Sequence, residues 1–473
     1  PRKEQLSQQL KHIQICTRCG KCKQVCPMYY PQKGMLYHPR NKNISMGALL
    51  DALLYTQSTS GDSKPSQELL EQLKELMDFC TACGKCMTTC PVKIDSAEVT
   101  INMRSYLESE GTAGWGLKSK MLNYLGQDPE RIQTAARIAT LGQNIQNKAI
   151  RFLPSFWRRR AENPMFQAPG PKLEYGQLNE LLQVSKGNLF SPHQPPKEGD
   201  PAVIYFPGCG SGLFYSSIAL ASVYSLLYCG FTVLLPQEHL CCGYPLLSAG
   251  CTETFERNTL RNTSHMEQLL AQAGKYGLRV QGFLTSCGTC RAAIENYQME
   301  EKIAPELRMQ DVFQFLSGPL EERMEIQEKE EIIFHSSCHT AMSGVNPAEV
   351  DQLYSRALED ILNQEVQISV YCCAESGLGA LTNPKVYNSL RERKINALND
   401  ILENTSQDPT ILVSCPSCRI GISRSLIAAK SKGRTLHTME YIAEKMKGKK
   451  YKNYIKKEIL NMQVQPAEEV SNL

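Results

Sequence analysis

The sequence predicts a multidomain protein of α plus α/β class: a helical N-terminal domain, then a duplicated α/β unit built on short parallel sheets. Three observations carry this. Eight cysteines fall before residue 115 in two identically spaced groups, with helical periodicity between them. Twelve more cysteines lie beyond residue 200, where one set of spacings occurs twice. In that half, short runs rich in Val, Ile and Phe alternate with longer amphipathic segments.

At 473 residues the chain has length for about two to four domains. Hydrophobic residues make up 42% and charged residues 21%, an ordinary balance for a globular protein. Lys and Arg total 52 against 48 Asp and Glu, a net charge of +4 that points to no nucleic-acid partner. Twenty cysteines in so long a chain do not resemble a small disulfide scaffold. The N-terminal PRKEQLSQQLKHIQIC is polar and has no signal-peptide pattern. The thiols are therefore expected to be reduced, in the cytoplasm, and to serve as metal ligands. The chain begins at Pro1 and not at Met, as a processed protein or a piece of a longer polypeptide would. The uncharged run Phe214–Leu235 has the length of a membrane span. Its Ser, Tyr and Gly content, and its place in a repeat whose second copy is charged, favour a buried helix, a turn at Gly230 and a strand FTVLLP. No transmembrane helix is expected.

The N-terminal groups are Cys16-x2-Cys19-x2-Cys22-x3-Cys26-Pro27 and Cys80-x2-Cys83-x2-Cys86-x3-Cys90-Pro91, offset by 64 residues at every cysteine. This is the spacing of bacterial-type [4Fe–4S] ferredoxins, in which the fourth cysteine serves the other cluster. Cys16, Cys19, Cys22 and Cys90 are assigned to one cubane, and Cys80, Cys83, Cys86 and Cys26 to the other. Gly20 and Gly84 let backbone N–H groups approach the cluster. Zinc, the other taker of C-x2-C pairs, does not match this sharing of ligands. The apolar-periodic ALLDALLYTQ and ELLEQLKELMDF between the groups make residues 1–115 a helical two-cluster ferredoxin domain.

Residues 116–200 hold no cysteine and become rich in Pro, which reads as a helical spacer followed by an extended linker. The duplication follows in residues 201–330 and 331–444. Cys209 to Cys338 is 129 residues, Cys241 to Cys372 is 131, and Cys287 to Cys415 is 128. Apolar runs precede each cysteine group: AVIYF, FTVLLP and VQGFLTS in the first copy, EIIFHS, VQISVY and TILVS in the second. Each copy thus reads as βαβαβ with thiols just beyond the C-terminal ends of parallel strands, where such sheets bind ligands. The sets are Cys209, Cys241, Cys242, Cys287, Cys290 and Cys338, Cys372, Cys373, Cys415, Cys418. Five thiolates exceed what a simple cube needs. The adjacent pairs Cys241-Cys242 and Cys372-Cys373 reach one centre only if the backbone turns sharply there.

Here the sequence resembles the CCG-domain iron–sulfur oxidoreductases, including heterodisulfide reductase subunits of the B and D types. It is also similar to iron–sulfur subunits of FAD-linked lactate and glycolate dehydrogenases, to which YHPRNKNISMGALLDALLY looks closest. The resemblance implies a noncubane [4Fe–4S] cluster in each five-cysteine set, alongside the two cubane clusters. It implies an electron-transfer subunit working between a flavin-containing dehydrogenase and a membrane- or quinone-linked acceptor, peripheral on the inner face of the membrane. The rival it implies is a catalytic subunit that reduces a disulfide at the noncubane clusters. One departure stands out: the second motif is Cys-Cys-Ala, costly if φ at Ala374 is positive and tolerable if negative.

The remaining signals are read as structural. Pro207-Gly208-Cys209-Gly210-Ser211-Gly212 is a cluster loop and not a nucleotide loop, since position 213 is Leu. His335 and His339 flank Cys338 as hydrogen-bonded histidines. Cys229 and Cys251 are core thiols. Trp157-Arg158-Arg159-Arg160 and the basic tail 445–473 are read as solvated faces, the alternative being contact with a partner or an anionic membrane surface. No flavin fingerprint or hydrolytic triad is evident, so substrate oxidation is expected on a partner chain or a missing domain.

Overall fold

The structure, a computed structural model, describes residues 2–29, 37–60, 67–110, 116–161, 163–297, 307–326, 329–339, 342, 345–346, 348–375, 384–404 and 408–465. Pro1 lies outside them.

Four long helices, Arg2–Gln14, Pro39–Ser60, Gln67–Asp78 and Ser96–Ser109, frame the N-terminal domain, with single turns at Cys22–Val25 and Lys85–Thr88 in the cysteine loops. Each long helix turns one apolar stripe inward, at three- and four-residue steps. Leu10 and Ile13, Met46 and Leu50, Leu70, Leu73 and Met77, and Val99, Met103 and Leu107 meet in one core. Asp95 caps the last of these helices by accepting from the Ala97 and Glu98 N–H groups at 2.8 and 3.3 Å. The two cysteine loops lie where these helices begin and end.

The C-terminal half carries two parallel sheets of the same design. In the first, β1 (Leu189–Phe190), β2 (Pro201–Phe206), β3 (Thr232–Leu234), β4 (Arg279–Thr285) and β5 (Met309–Asp311) run in the order β1-β3-β2-β4-β5. Only β1 is antiparallel to its neighbour. In the second, β6 (Ile332–His335), β7 (Val366–Ser369), β8 (Thr410–Val413) and β9 (Arg434–His437) run β7-β6-β8-β9, all parallel. Register pairs Val203 with Val233 in one sheet and Ile333 with Gln367 in the other. The expected strand before each thiol group is present. Each sheet also has a further strand, β5 or β9.

Alternation along the strands divides the interior in two. Val203, Tyr205, Ile332 and Phe334 face one core, and Ala202, Ile204, Ile333 and Ile411 the other. Both cores span both repeats, and the second contains Cys242, Cys287, Cys290, Cys373, Cys415 and Cys418. The run Phe214–Leu235 is the buried helix Ser216–Tyr228, the turn at Gly230 (φ 91°) and β3. Among the described residues no helix is long and apolar enough to cross a membrane.

Two segments differ from expectation. The Pro-rich stretch before residue 200 is no free linker: Leu178, Leu182, Val184 and Phe190 are buried in the first core, and Leu189–Phe190 is a strand. The basic tail is not merely a solvated face either. Helix Tyr451–Asn461 buries Tyr451, Ile455 and Ile459 and packs, with helix Thr438–Lys447, on helix Ser216–Tyr228 of the first repeat. The apolar residues at four-residue steps outweigh the lysines between them.

The N-terminal domain seats directly on the first repeat. Arg104 donates to Ser248 O at 2.7 Å and also to Met77 O and Cys80 O. Gly250 (φ 82°) lies against the same helix, and a Cβ there would stand 2.4 Å from Ser105 N. Gly250→Ala therefore combines left-handed strain with a backbone overlap and should cost about 2–4 kcal/mol. Gly274→Ala, at a helical site with open space around it, should stabilise by about 0.5–1 kcal/mol. Thermal unfolding of both variants under anaerobic conditions checks this, and equal melting temperatures would contradict it.

Candidate metal centres

The two N-terminal loops share one backbone. Arg18 and Ala82 have φ of 57° and 52°, and Gly20 and Gly84 have φ of 76° and 68°. These left-handed residues, at matching positions, curl each loop around its first three thiols. Cys90 lines the same pocket as Cys16, Cys19 and Cys22, and Cys26 lines that of Cys80, Cys83 and Cys86. Cys86 borders both pockets. Backbone N–H groups point at sulfur: Ala82 N to Cys80 Sγ and Ile94 N to Cys90 Sγ, each 3.4 Å.

Burial raises the thiol pKa of Cys26 and Cys83, and that of Cys86 to about 12. Burial also opposes ionisation of Cys80, yet Lys42 and Arg104 beside it bring its pKa below the ordinary value. Lys42 is itself buried and donates to Phe79 O. Cys19 stands at the exposed edge, in a pocket shared with Lys21, Lys23 and Arg40.

In the first repeat, Cys209 follows β2, Cys241 and Cys242 follow β3, and Cys287 and Cys290 follow β4. Gly243 (φ 74°) supplies the sharp turn after the adjacent pair, and its N–H points at Cys241 Sγ at 3.4 Å. Helix Thr252–Lys275 fixes that turn from outside. Asn258 and Asn262 both donate to Cys241 O at 2.8 Å, and Tyr297 OH donates to Cys242 O at 2.8 Å. His239 Nε2 lies 3.4 Å from Cys209 Sγ, and burial lowers its pKa to about 4.

The second repeat copies this turn with an alanine. Ala374 has φ of 60°, the costly case, and its N–H points at Cys372 Sγ at 3.4 Å. Its Cβ packs in an apolar pocket with Met28, Val386, Tyr387 and Leu390. A Cβ at Gly243 would instead meet Phe255 and Asn258 at 2.9 Å. Ala374 O accepts from Arg391, and Glu375 binds Arg391 and Arg424 at 3.0 and 2.7 Å in a buried triad.

Where the first repeat presents neutral amides, the second presents a cation. Lys394 is fully buried and donates to Ser369 Oγ (2.7 Å), Val370 O (2.6 Å) and His335 Nδ1 (3.1 Å). Burial lowers its pKa to about 8, while the neighbouring sulfurs pull it up. A ring nitrogen of His335 and the sulfurs of Cys373 and Cys418 lie within 4.8 Å of one another. Burial holds His335 and His339 at a pKa of about 4, neutral near pH 7.

The four sets meet one another. Cys287 and Cys415, equivalent residues of the two repeats, have sulfurs 3.9 Å apart. Cys338 and Cys372, 3.6 Å apart, share a pocket of about 340 Å³ with Cys26 and Cys83. Tyr244, next after Gly243, donates to Ala82 O beside Cys83, and its ring stands edge-on to His339 at 4.7 Å. Cys229 and Cys251 are buried in the cores. Sequence reasoning missed Lys42, Lys85, Arg104, Tyr244 and Lys394. Of these, Tyr244 and Lys85, which lines the Cys338–Cys372 pocket, carried a local signal: each adjoins or lies within a cysteine motif.

All twenty cysteines are free thiols. The sulfurs of each set repel one another as thiolates, and soft iron–sulfide cores are what such a donor set accommodates. The family comparisons agree. Residues 12–94 match the 4Fe-4S dicluster domain, and residues 203–295 and 332–423 each match the Cysteine-rich domain. The chain carries a 4Fe-4S dicluster domain and a duplicated Cysteine-rich (CCG) domain. Among its relatives, the D-type subunit of the dihydromethanophenazine:CoB--CoM heterodisulfide reductase of Methanosarcina barkeri is 23% identical, over 92% of this chain and 94% of that one. The glycolate oxidase iron-sulfur subunit of Escherichia coli is 22% identical, over 89% and 91%. Lactate utilization protein A of Halalkalibacterium halodurans is 24% identical, over 51% of this chain and 95% of that one.

The two turns predict opposite tolerances. Gly243→Ala adds strain and overlap and should destabilise by about 2–3 kcal/mol. Ala374→Gly trades relief of strain against a lost methyl and should stay within about 1 kcal/mol of the parent. Thermal unfolding of the iron-loaded protein distinguishes them. Equal losses would mean that the two turns differ less than their neighbours suggest.

Proposed function

We propose that this chain is the iron–sulfur electron-transfer subunit of a multi-subunit oxidoreductase. It relays electrons between a flavin-containing dehydrogenase of lactate or glycolate type and a downstream acceptor. In this reading Cys16, Cys19, Cys22 and Cys90 hold one cubane, and Cys26, Cys80, Cys83 and Cys86 the other. Cys209, Cys241, Cys242, Cys287 and Cys290 hold one noncubane cluster, and Cys338, Cys372, Cys373, Cys415 and Cys418 the second. Bound clusters of this kind take up and release single electrons.

What supports the reading is the unbroken succession of thiol sets. It runs from the exposed Cys19, through pockets that share Cys86 and then Cys26 and Cys83, to the Cys287–Cys415 contact. The chain's own residues make the path usable. Lys42, Arg104 and Lys394 offset buried negative charge. Lys21, Lys23 and Arg40 rim the exposed end, where a partner with an acidic face would dock.

One observation favours a second reading, disulfide reduction. The pocket beside Cys338 and Cys372 is also lined by Lys85 and Arg393, cations suited to a thiol substrate bearing acidic groups.

An assay with an artificial electron donor separates the two. The relay reading expects the isolated iron-loaded chain to turn over only when the flavoprotein is added. Useful disulfide reduction by the chain alone would reject it. Anaerobic protein should carry roughly sixteen irons. Cys86→Ala should remove one of two ferredoxin-type EPR signals while leaving the C-terminal half folded, and retention of both signals would refute the ligand assignment.

A further inference from the structure

Helix Pro129–Phe152 buries a mixed side, Ala136, Thr140, Asn144, Asn147 and Ile150, while most of its larger apolar residues face out. Asn144 donates to Leu173 O (3.0 Å) and accepts from Leu173 N (3.1 Å). Asn147 does the same with Gly170, at 3.1 and 3.0 Å. These paired amide bonds lock the helix rotation. The opposite side carries Ile138, Leu141, Ile145 and Phe152, spaced by three, four and seven residues, and exposed by 66, 53, 67 and 88%. Directly beyond the helix, Phe156 and Trp157 are 56 and 63% exposed.

A water-facing helix has the reverse pattern. Burying asparagines and exposing isoleucines costs free energy unless something apolar covers the stripe.

The charges indicate what covers it. Residues 129–160 contain seven bases (Arg131, Arg137, Lys148, Arg151, Arg158, Arg159, Arg160) and one acid, Glu130; Arg137 is paired with Glu180, which leaves six against one. A bilayer of anionic lipid asks for one sign of charge beside a continuous row of aliphatic and aromatic side chains. At about 1.5 Å per residue the helix is about 36 Å long, enough to lie along a surface.

We propose that the stripe Ile138–Leu141–Ile145–Phe152, with Phe156 and Trp157, docks this protein on an anionic lipid surface, the helix lying in the plane of the headgroups. The proposal does not depend on the electron-transfer reading, because it uses no cysteine and no cluster.

The test is co-sedimentation of the full iron-loaded chain with large vesicles. One set is mixed phosphatidylglycerol and phosphatidylcholine, the other phosphatidylcholine alone. Binding to the anionic vesicles should be tighter by about tenfold or more, with a blue shift in Trp157 emission. Ile138→Ser/Ile145→Ser and Phe152→Ser/Trp157→Ser should each weaken it by about tenfold, with visible absorption and melting temperature unchanged. No vesicle binding, or binding that both double variants retain, overturns the proposal. So does a dimer in solution that these variants dissociate, which would assign the stripe to a second copy of the chain.

Discussion

Mutual repulsion between sulfurs is the constraint around which this molecule is arranged. Eighteen thiols sit in four neighbouring sets, with Cys287–Cys415 and Cys338–Cys372 within 4 Å, eight of the eighteen buried and Cys19 alone exposed. Ionising them together is prohibitive unless positive charge is supplied. The protein supplies part of it through Lys42, Arg104 and Lys394, through N–H groups aimed at sulfur, and through left-handed turns that keep those groups in place. Iron–sulfur clusters, which the dicluster and Cysteine-rich domain matches support, would supply the rest.

The duplication makes the cost of each solution visible. Both repeats need the same abrupt turn after two adjacent cysteines. One reaches it with a glycine, because Phe255 and Asn258 crowd the position. The other tolerates a methyl group in the left-handed region, because apolar neighbours surround it and the Glu375–Arg391–Arg424 triad clamps the following backbone. The helices behind the turns have diverged further, with amides in one and a buried ammonium in the other. Two sites with nearly the same thiol spacing thus have different electrostatic surroundings.

Much of this was legible in the chain. Thiol spacing is a local property, so both ferredoxin-type loops and both repeats stand out, as do the strands feeding them. The cations were not legible. Lys394 lies in a helix whose Lys385, Glu392 and Asp400 mark a solvated face, and only the packing of that helix turns Lys394 and Arg391 inward. Lys42 finds its carbonyl 37 residues away, and Arg104 reaches 144 residues ahead. The prolines before residue 200 suggested a loose connector and hid the periodic Leu178, Leu182 and Val184. The edge strands Met309–Asp311 and Arg434–His437 are too short and too polar to register as runs.

The return of the last described helix onto the first repeat has a consequence for biosynthesis. Tyr451, Ile455 and Ile459 complete the core beneath helix Ser216–Tyr228, and the Val464 N–H pairs with the Leu189 carbonyl. A nascent chain leaving the ribosome in order exposes that apolar helix more than two hundred residues before its cover has been translated. Completion of the earlier repeat in this way waits on translation of helix Tyr451–Asn461.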